Sequence, residues 1–316
     1  MRWPVNIFPL ILLASLAFAP RAAEAQQLPI RTTAMLNPFQ DNPALAGSRE
    51  CLDLHFGHRT QWAGFEGAPR TSFVNLHGQI AEQGPNFHGF GGRVDSDEAG
   101  PWGHLAVNLA YAYNLKLTTG ARLAAGLSAG LYQFRLNQSL IDLPDVEVAN
   151  DPAFQGESAF LFPSIDLGLA LYDKEWFVGA SLINATGASL GDIGAQSEVR
   201  THFALTANAK IELYRDWNFR PSAQIRAGAA VPATADLIFA LDYDDIAGFG
   251  LGYRTSAELI ATARVKVLEY LSIGYAYGFT TSVMRAASAN SHEIVIGINA
   301  CSGNSRGRYT SCPAYD

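Results

Sequence analysis

The feature that most limits what this chain can fold into is a long, regular alternation. Thr201, Phe203, Leu205, Ala207, Ala209, Ile211 and Leu213 fall on one face of an extended chain. His202, Thr206, Asn208, Lys210 and Glu212 fall on the other. Residues 104–117 set Leu105, Val107, Leu109, Tyr111, Tyr113, Leu115 and Leu117 against His104, Asn108, Asn114 and Lys116, and residues 258–267 and 271–280 do the same. A period of two is the signature of a strand with two unlike faces. These runs exceed the roughly five or six residues usual for a globular strand, and their polar faces carry full charges. A strand crossing a bilayer obliquely, lipid outside and polar lumen inside, accounts for both properties. A soluble sandwich or lipocalin-like barrel accounts for the length less well.

Processing and composition agree. Residues 1–25 read as an export leader: Arg2, then a mostly apolar stretch from Ile7 to Ala19, then Ala23-Glu24-Ala25 as a small-x-small cleavage site. The mature chain would start at Gln26, and its roughly 290 residues would suffice for one large domain. Hydrophobic residues are 48% and charged residues 16% of the chain, with no later apolar stretch long enough for a membrane helix. The mean hydropathy is only +0.05. The net charge of −7 gives no basic face for nucleic acid.

The fold expected is all-β: a transmembrane, antiparallel, up-and-down barrel of about fourteen strands. They fall near 51–60, 71–81, 86–94, 103–117, 121–136, 159–172, 175–184, 199–214, 217–228, 234–243, 246–254, 257–267, 270–281 and 291–300. Short turns follow the even strands and longer connections, notably 137–158, 185–198 and 282–290, follow several odd ones. That asymmetry puts the short turns and both termini in the periplasm and the longer loops outside. Residues 26–50 lack alternation and form a periplasmic arm packing into or under the lumen; residues 51–300 form the barrel and 301–316 a periplasmic tail. Trp and Tyr near strand ends suit interfacial belts.

Catalytic patterns are missing. There is no H-E-x-x-H and no G-x-S-x-G. His55 and His58 lie on opposite faces of a strand, as do the neighbours His292 and Glu293. His77, His88, His104 and His202 are expected as lumenal or loop polar residues. Asp242, Asp244 and Asp245 mark a tight turn, calcium binding being the less favoured reading, and "DSDE" at 95–98 reads as a solvated external loop. No cofactor or metal is expected. Of three cysteines, Cys301 and Cys312 are expected to close a short tail loop as a disulfide; their spacing also permits a metal site, but no histidine flanks it.

Two stretches say more. The arm carries "NPFQDNPALAGSRE", with Asn42-Pro43-Ala44 and Ala46-Gly47; then comes "HRTQWAGFEGAPRTSF", with Arg59, Gln61, Trp62, Gly64, Phe65, Gly67, Ala68 and Pro69. In these the chain resembles the PorP/SprF family of type IX secretion outer-membrane proteins of Bacteroidetes-type bacteria, matching its N-P-A-x-A-G and R-x-Q-W-x-G-F-x-G-A-P runs. "DPAF" at 151–154, "IGYAYGFTTS" at 273–282 and "SHEI" at 291–294 follow in the expected order. The resemblance implies a non-enzymatic outer-membrane component that supports secretion or surface anchoring of partner proteins, gliding adhesins among them. Its implied partners are outer-membrane lipid, secretion components and a secreted or surface protein. The motif residues, from Asn42, Pro43 and Gly47 to Pro69, are its candidate partner contacts. The alternative is an outer-membrane channel or transporter for small or hydrophobic solutes. Within the second motif Gly64, Gly67 and Pro69 are expected to make a turn. Arg59, on the lumenal parity with Asp53 and His55, is expected in a buried pair.

Overall fold

The structure, a computed structural model, describes residues 30–49, 51–81, 85–117, 120–141, 159–189, 198–228, 231–282, 285 and 290–300. The leader, "DPAF" and the tail lie outside these residues. Fourteen strands form the wall: β1 Leu52–Thr60, β2 Arg70–Ala81, β3 Phe87–Ala99, β4 Trp102–Lys116, β5 Arg122–Leu136, β6 Ala159–Tyr172 and β7 Trp176–Ile183. Then come β8 His202–Ala209, continued by Ile211–Glu212, β9 Trp217–Gly228, β10 Val231–Tyr243, β11 Ala247–Arg254, β12 Glu258–Leu268, β13 Leu271–Thr280 and β14 Ser291–Ala300. Each pairs antiparallel with its neighbours, and β1 pairs with β14 (Leu52↔Ala300), so the sheet closes on itself. A two-residue hairpin, Ala188–Ser189 with Glu198–Val199, stands apart in the connection after β7.

Two details depart from the sequence expectation. The eighth strand is interrupted after Ala209 although its register is unchanged, Asn208↔Ser222 and Ile211↔Phe219. Pro221 stands opposite the interruption and has no N–H for the ladder. "DSDE" is not a loop: β3 runs on to Ala99, and Asp95 and Asp97 turn inward to partners.

The faces are inverted relative to a soluble protein. Leu109, Leu127, Leu169, Phe239 and Leu251 project outward, the most open of them 73% exposed, whereas Asp53, His55, Arg59, Asn75 and Asp166 project inward and are buried. Such an apolar exterior around a polar interior is that of a membrane barrel. His55 and His58 do part to opposite faces: His58 meets the Ser72 hydroxyl outside, at 2.9 Å. His77 and His104 are lumenal; His88 is on the outer wall beside Tyr111.

What fills the lumen is the arm. Three short 3₁₀ turns, Thr33–Met35, Pro38–Gln40 and Pro43–Leu45, are buried throughout. The arm runs from the long-loop end, where Ile30 and Arg31 lie beside Asp95, to the short-turn end, where Arg49 pairs with Asp53 at 3.0 Å and β1 begins. The arm therefore sits in the lumen, not beneath it.

Cys51 is disulfide-bonded. The expected Cys301–Cys312 pair lies outside the described residues. Because Leu52 is the register partner of Ala300, non-reducing peptide mapping is expected to return a Cys51–Cys301 peptide. A Cys301–Cys312 peptide would count against it.

Candidate functional site

The site is the contact between the arm and the inner wall. Asn42 opens the turn at Pro43–Leu45: its Oδ1 accepts from the Ala44 amide at 3.0 Å, which caps the turn. Its Nδ2 donates to the Leu169 carbonyl of β6 at 3.1 Å. Pro43 supplies the fixed φ that starts such a turn. The arm can come this close because the wall has no side chains there. A Cβ on Gly168 would lie 2.1 Å from Asn42 Oδ1, on Gly126 2.3 Å from the Ala44 nitrogen, and on Gly89 1.9 Å from the Ala46 oxygen. Gly126 and Gly168 are register partners, so the groove spans β5 and β6. Gly47 ends the segment with φ of +68°, a left-handed conformation that favours glycine.

Apolar packing holds this half. Ala44, Leu45 and Ala46 are fully buried against Ala112, Ala124, Ala170 and Phe177, and Phe39 joins them. Fully burying Leu45 and Phe39 is worth roughly 1.5–3 kcal/mol each. Phe39 also tilts against His77, ring centroids 4.5 Å apart. His77 Nδ1 accepts from the Gly47 amide at 3.2 Å, and Nε2 faces Asp53 at 3.3 Å. Those partners require the neutral ring to carry its proton on Nε2.

Charges hold the other half. Glu293 receives the Thr32 amide at 2.7 Å, the Thr33 amide at 3.1 Å and the Thr33 hydroxyl. Arg59 donates to the same carboxylate at 3.2 Å. This is the buried pairing expected for Arg59, and Glu258 lies 3.7 Å away on its other side. Glu293 and His292 part to opposite faces, so "SHEI" offers no catalytic convergence; His292 meets the Tyr275 hydroxyl outside. Arg31 bridges Asp41 and Asp95, both at 2.9 Å. Gln224 donates to Asp41 at 3.0 Å, and Arg226 donates to the Arg31 carbonyl at 3.0 Å. Arg93 holds the Gln40 carbonyl at 2.6 Å and pairs with Asp166.

Asp41 titrates low. Burial pushes its carboxyl up, but Arg31 and Arg226, with hydrogen bonds from Arg31 and Gln224, outweigh burial and hold it at about 2. A carboxylate depressed from 3.8 to about 2 stabilises the seated arm above its unfolded value, and the contribution disappears as pH falls through 4 toward 2. The amount is on the order of 2 kcal/mol. Hydrogen exchange across residues 31–45 is expected to accelerate over that interval while the barrel strands stay protected. Uniform protection from pH 5 to 2 would contradict the role given to Asp41.

The second motif lies outside this contact except for Arg59. Gln61 closes the hairpin by donating to the Pro69 carbonyl at 2.9 Å. Trp62, Gly64 and Gly67 all have positive φ, at 54°, 91° and 72°, which fits the turn expected of Gly64, Gly67 and Pro69. The hairpin is tied to both neighbouring connections: Ala63 donates to the Asn290 carbonyl and Gly100 to the Gly67 carbonyl. Phe65 at its tip is 47% exposed. At the short-turn end Asp245 is engaged by Lys210 and Arg220, and Asp242 by Arg220 and Arg264. Asp242 and Asp245 are thus paired with the protein's own cations. No cluster of three or more metal-ligating side chains occurs among the described residues.

Sequence reasoning missed most of the wall's share. Gly89, Gly126, Gly168 and Gly179 carry no individual signal; only their common inward parity on neighbouring strands would have pointed to a groove. Above the arm, at the long-loop end, is a cavity of about 90 Å³ floored by Arg31, Gln40 and Asp41.

A family model for the type IX secretion system membrane protein PorP/SprF matches residues 23–298. The chain belongs to the PorP/SprF family. Two of the family-type runs meet on the arm, Asn42 to Gly47 from within it and Glu293 of "SHEI" from the wall, and Arg59 joins them. No curated protein matches the chain. Among solved structures it is similar to the toluene transporter TodX of P. putida, at 10% identity and TM-score 0.46, covering 90% of this chain and 97% of that one. The NanC porin has 10% identity and TM-score 0.38 over 78% of this chain and 98% of its own. A mutant Rh. blastica porin has 9% identity and TM-score 0.34 over 79% and 99%. Likeness at this level says nothing of what the chain carries.

Proposed function

We propose that this PorP/SprF protein is a non-enzymatic outer-membrane accessory of the type IX secretion system that supports secretion or surface anchoring of partner proteins. It works by binding and positioning, with its long loops outside and its short turns toward periplasmic secretion components. The observation that carries this reading is the filled lumen. A barrel whose interior is occupied by its own arm, through apolar packing at one end and paired charges at the other, offers partners surfaces and not an aqueous path. The motif residues Gln61, Trp62, Gly64, Phe65, Gly67 and Pro69 shape one such surface, with Phe65 at its tip. Asn42, Pro43, Gly47 and Arg59 serve it from inside by fixing the arm.

The reading is tested in two measurements. Deleting the gene is expected to leave one or more surface proteins unexported or released to the medium. The purified protein in planar bilayers is expected to show no steady conductance. A steadily conducting barrel together with normal export in the deletion strain would instead support the channel reading.

A further inference from the structure

The cavity at the long-loop end carries polar atoms that the fold leaves unpaired. Asn184 is 5% exposed; its Oδ1 accepts from the Ser164 hydroxyl at 2.9 Å, and its Nδ2 has no partner. His202 Nδ1 lies 2.9 Å from the Arg200 carbonyl and donates to it, which leaves the buried Nε2 an acceptor with no partner. Both residues line this cavity, and His202 is the register partner of Ile183, next to Asn184. Leaving such a group buried and unpaired costs about 1–3 kcal/mol, so the site is built for something that supplies one donor and one acceptor.

The rest of the lining narrows the chemistry. Arg31, Arg93 and Arg226 are paired with Asp41, Asp95 and Asp166 of the lining, and Arg226 also with Asp236 behind it. The floor's charges are matched internally, which disfavours an ionic ligand. Ile183 and Ala204 add an apolar edge on the lumenal face, and Tyr132 stacks on His104 at 5.0 Å to form an aromatic ledge. An extended peptide offers alternating N–H and C=O groups together with an apolar side chain; a sugar offers hydroxyls around its whole rim.

We propose that this cavity binds a short extended segment of a partner protein. A peptide N–H donates to His202 Nε2, the neighbouring carbonyl accepts from Asn184 Nδ2, and an apolar side chain lies against Ile183 and Ala204. The identity of the partner rests on the accessory role above; the site itself does not.

The test is saturation-transfer NMR on the detergent-solubilised full chain, with acetyl-Gly-Leu-Gly-Leu-amide as probe and maltotriose beside it. Two hydrogen bonds and one buried side chain predict a Kd of about 1 mM. Asn184→Leu and His202→Phe are each expected to weaken binding roughly fivefold. Ala204→Phe, which fills the cavity, is expected to abolish it while heat-modifiable migration shows a folded barrel. Should that variant misfold, the two milder ones still decide. No transfer to the wild-type protein, transfer that Ala204→Phe leaves intact, or tighter binding of maltotriose would each overturn the proposal. Absent binding with export still lost in the deletion strain removes the site and leaves the accessory role. Binding with normal export does the reverse.

Discussion

Replacing Gly126 with leucine is expected to unseat the arm and turn a closed barrel into a conducting one. A Cβ at this position would lie 2.3 Å from the Ala44 nitrogen and 2.5 Å from its Cα. Both are backbone atoms of the capped turn and cannot rotate aside. Overpacking of this kind costs about 1–3 kcal/mol, and a displaced turn also withdraws Leu45 and Phe39 from burial, at roughly 1.5–3 kcal/mol each. The barrel itself should still form, because position 126 faces inward and its strand pairing uses only backbone. Planar-bilayer recordings should show steady openings for Gly126→Leu and none for wild type. Leu127→Ala, on the lipid-facing side of the same strand, is the control that should stay closed. Equal conductance from all three proteins would mean that the arm does not seal the lumen.

Glu293→Ala is the second large effect and acts on the opposite half of the arm. It removes the acceptor of the Thr32 and Thr33 amides and leaves Glu258 as the one carboxylate paired with Arg59. Breaking a buried ion pair from one side typically costs about 3–5 kcal/mol. The loss should be local: trypsin should reach the Arg31–Thr32 bond in the variant and not in the wild type, with the barrel resistant in both. Glu293→Gln keeps an acceptor oxygen and should fall between them. A protected Arg31 in Glu293→Ala would show that Asp41 and Asp95 hold that end unaided.

The wall was legible in the sequence and the contents of the lumen were not. Alternation in 104–117 or 201–214 comes from a physical demand made on each strand separately, lipid on one side and polar surroundings on the other. The arm makes no such demand. Its residues answer to partners far away in the chain, Thr32 to Glu293 and Asn42 to Leu169, and no local period records that. The same blindness explains "DSDE". Four charged or polar residues in a row suggest solvent, but Asp95 is held by Arg31 and Asp97 by Thr71 inside the barrel. Arg59 was readable because parity alone put it inside with Asp53 and His55.

The direction in which the arm runs sets an order of assembly. Its Arg31 end lies at the long-loop mouth, and β1 starts from the opposite mouth, so the chain pierces the ring it belongs to. A ring already closed could take up that arrangement only by drawing a free end upward past Asp53, the glycine groove and Glu293. Closing the seam between β1 and β14 around an arm already in place avoids that passage. The arm then acts as a mandrel on which the small-residue face of β4 to β7 gathers, and the bond made by Cys51, next to that seam, fastens it afterwards. A bulky domain fused ahead of Ile30 should therefore stall folding at the unclosed sheet, where the same domain placed in the connection after β5 would not.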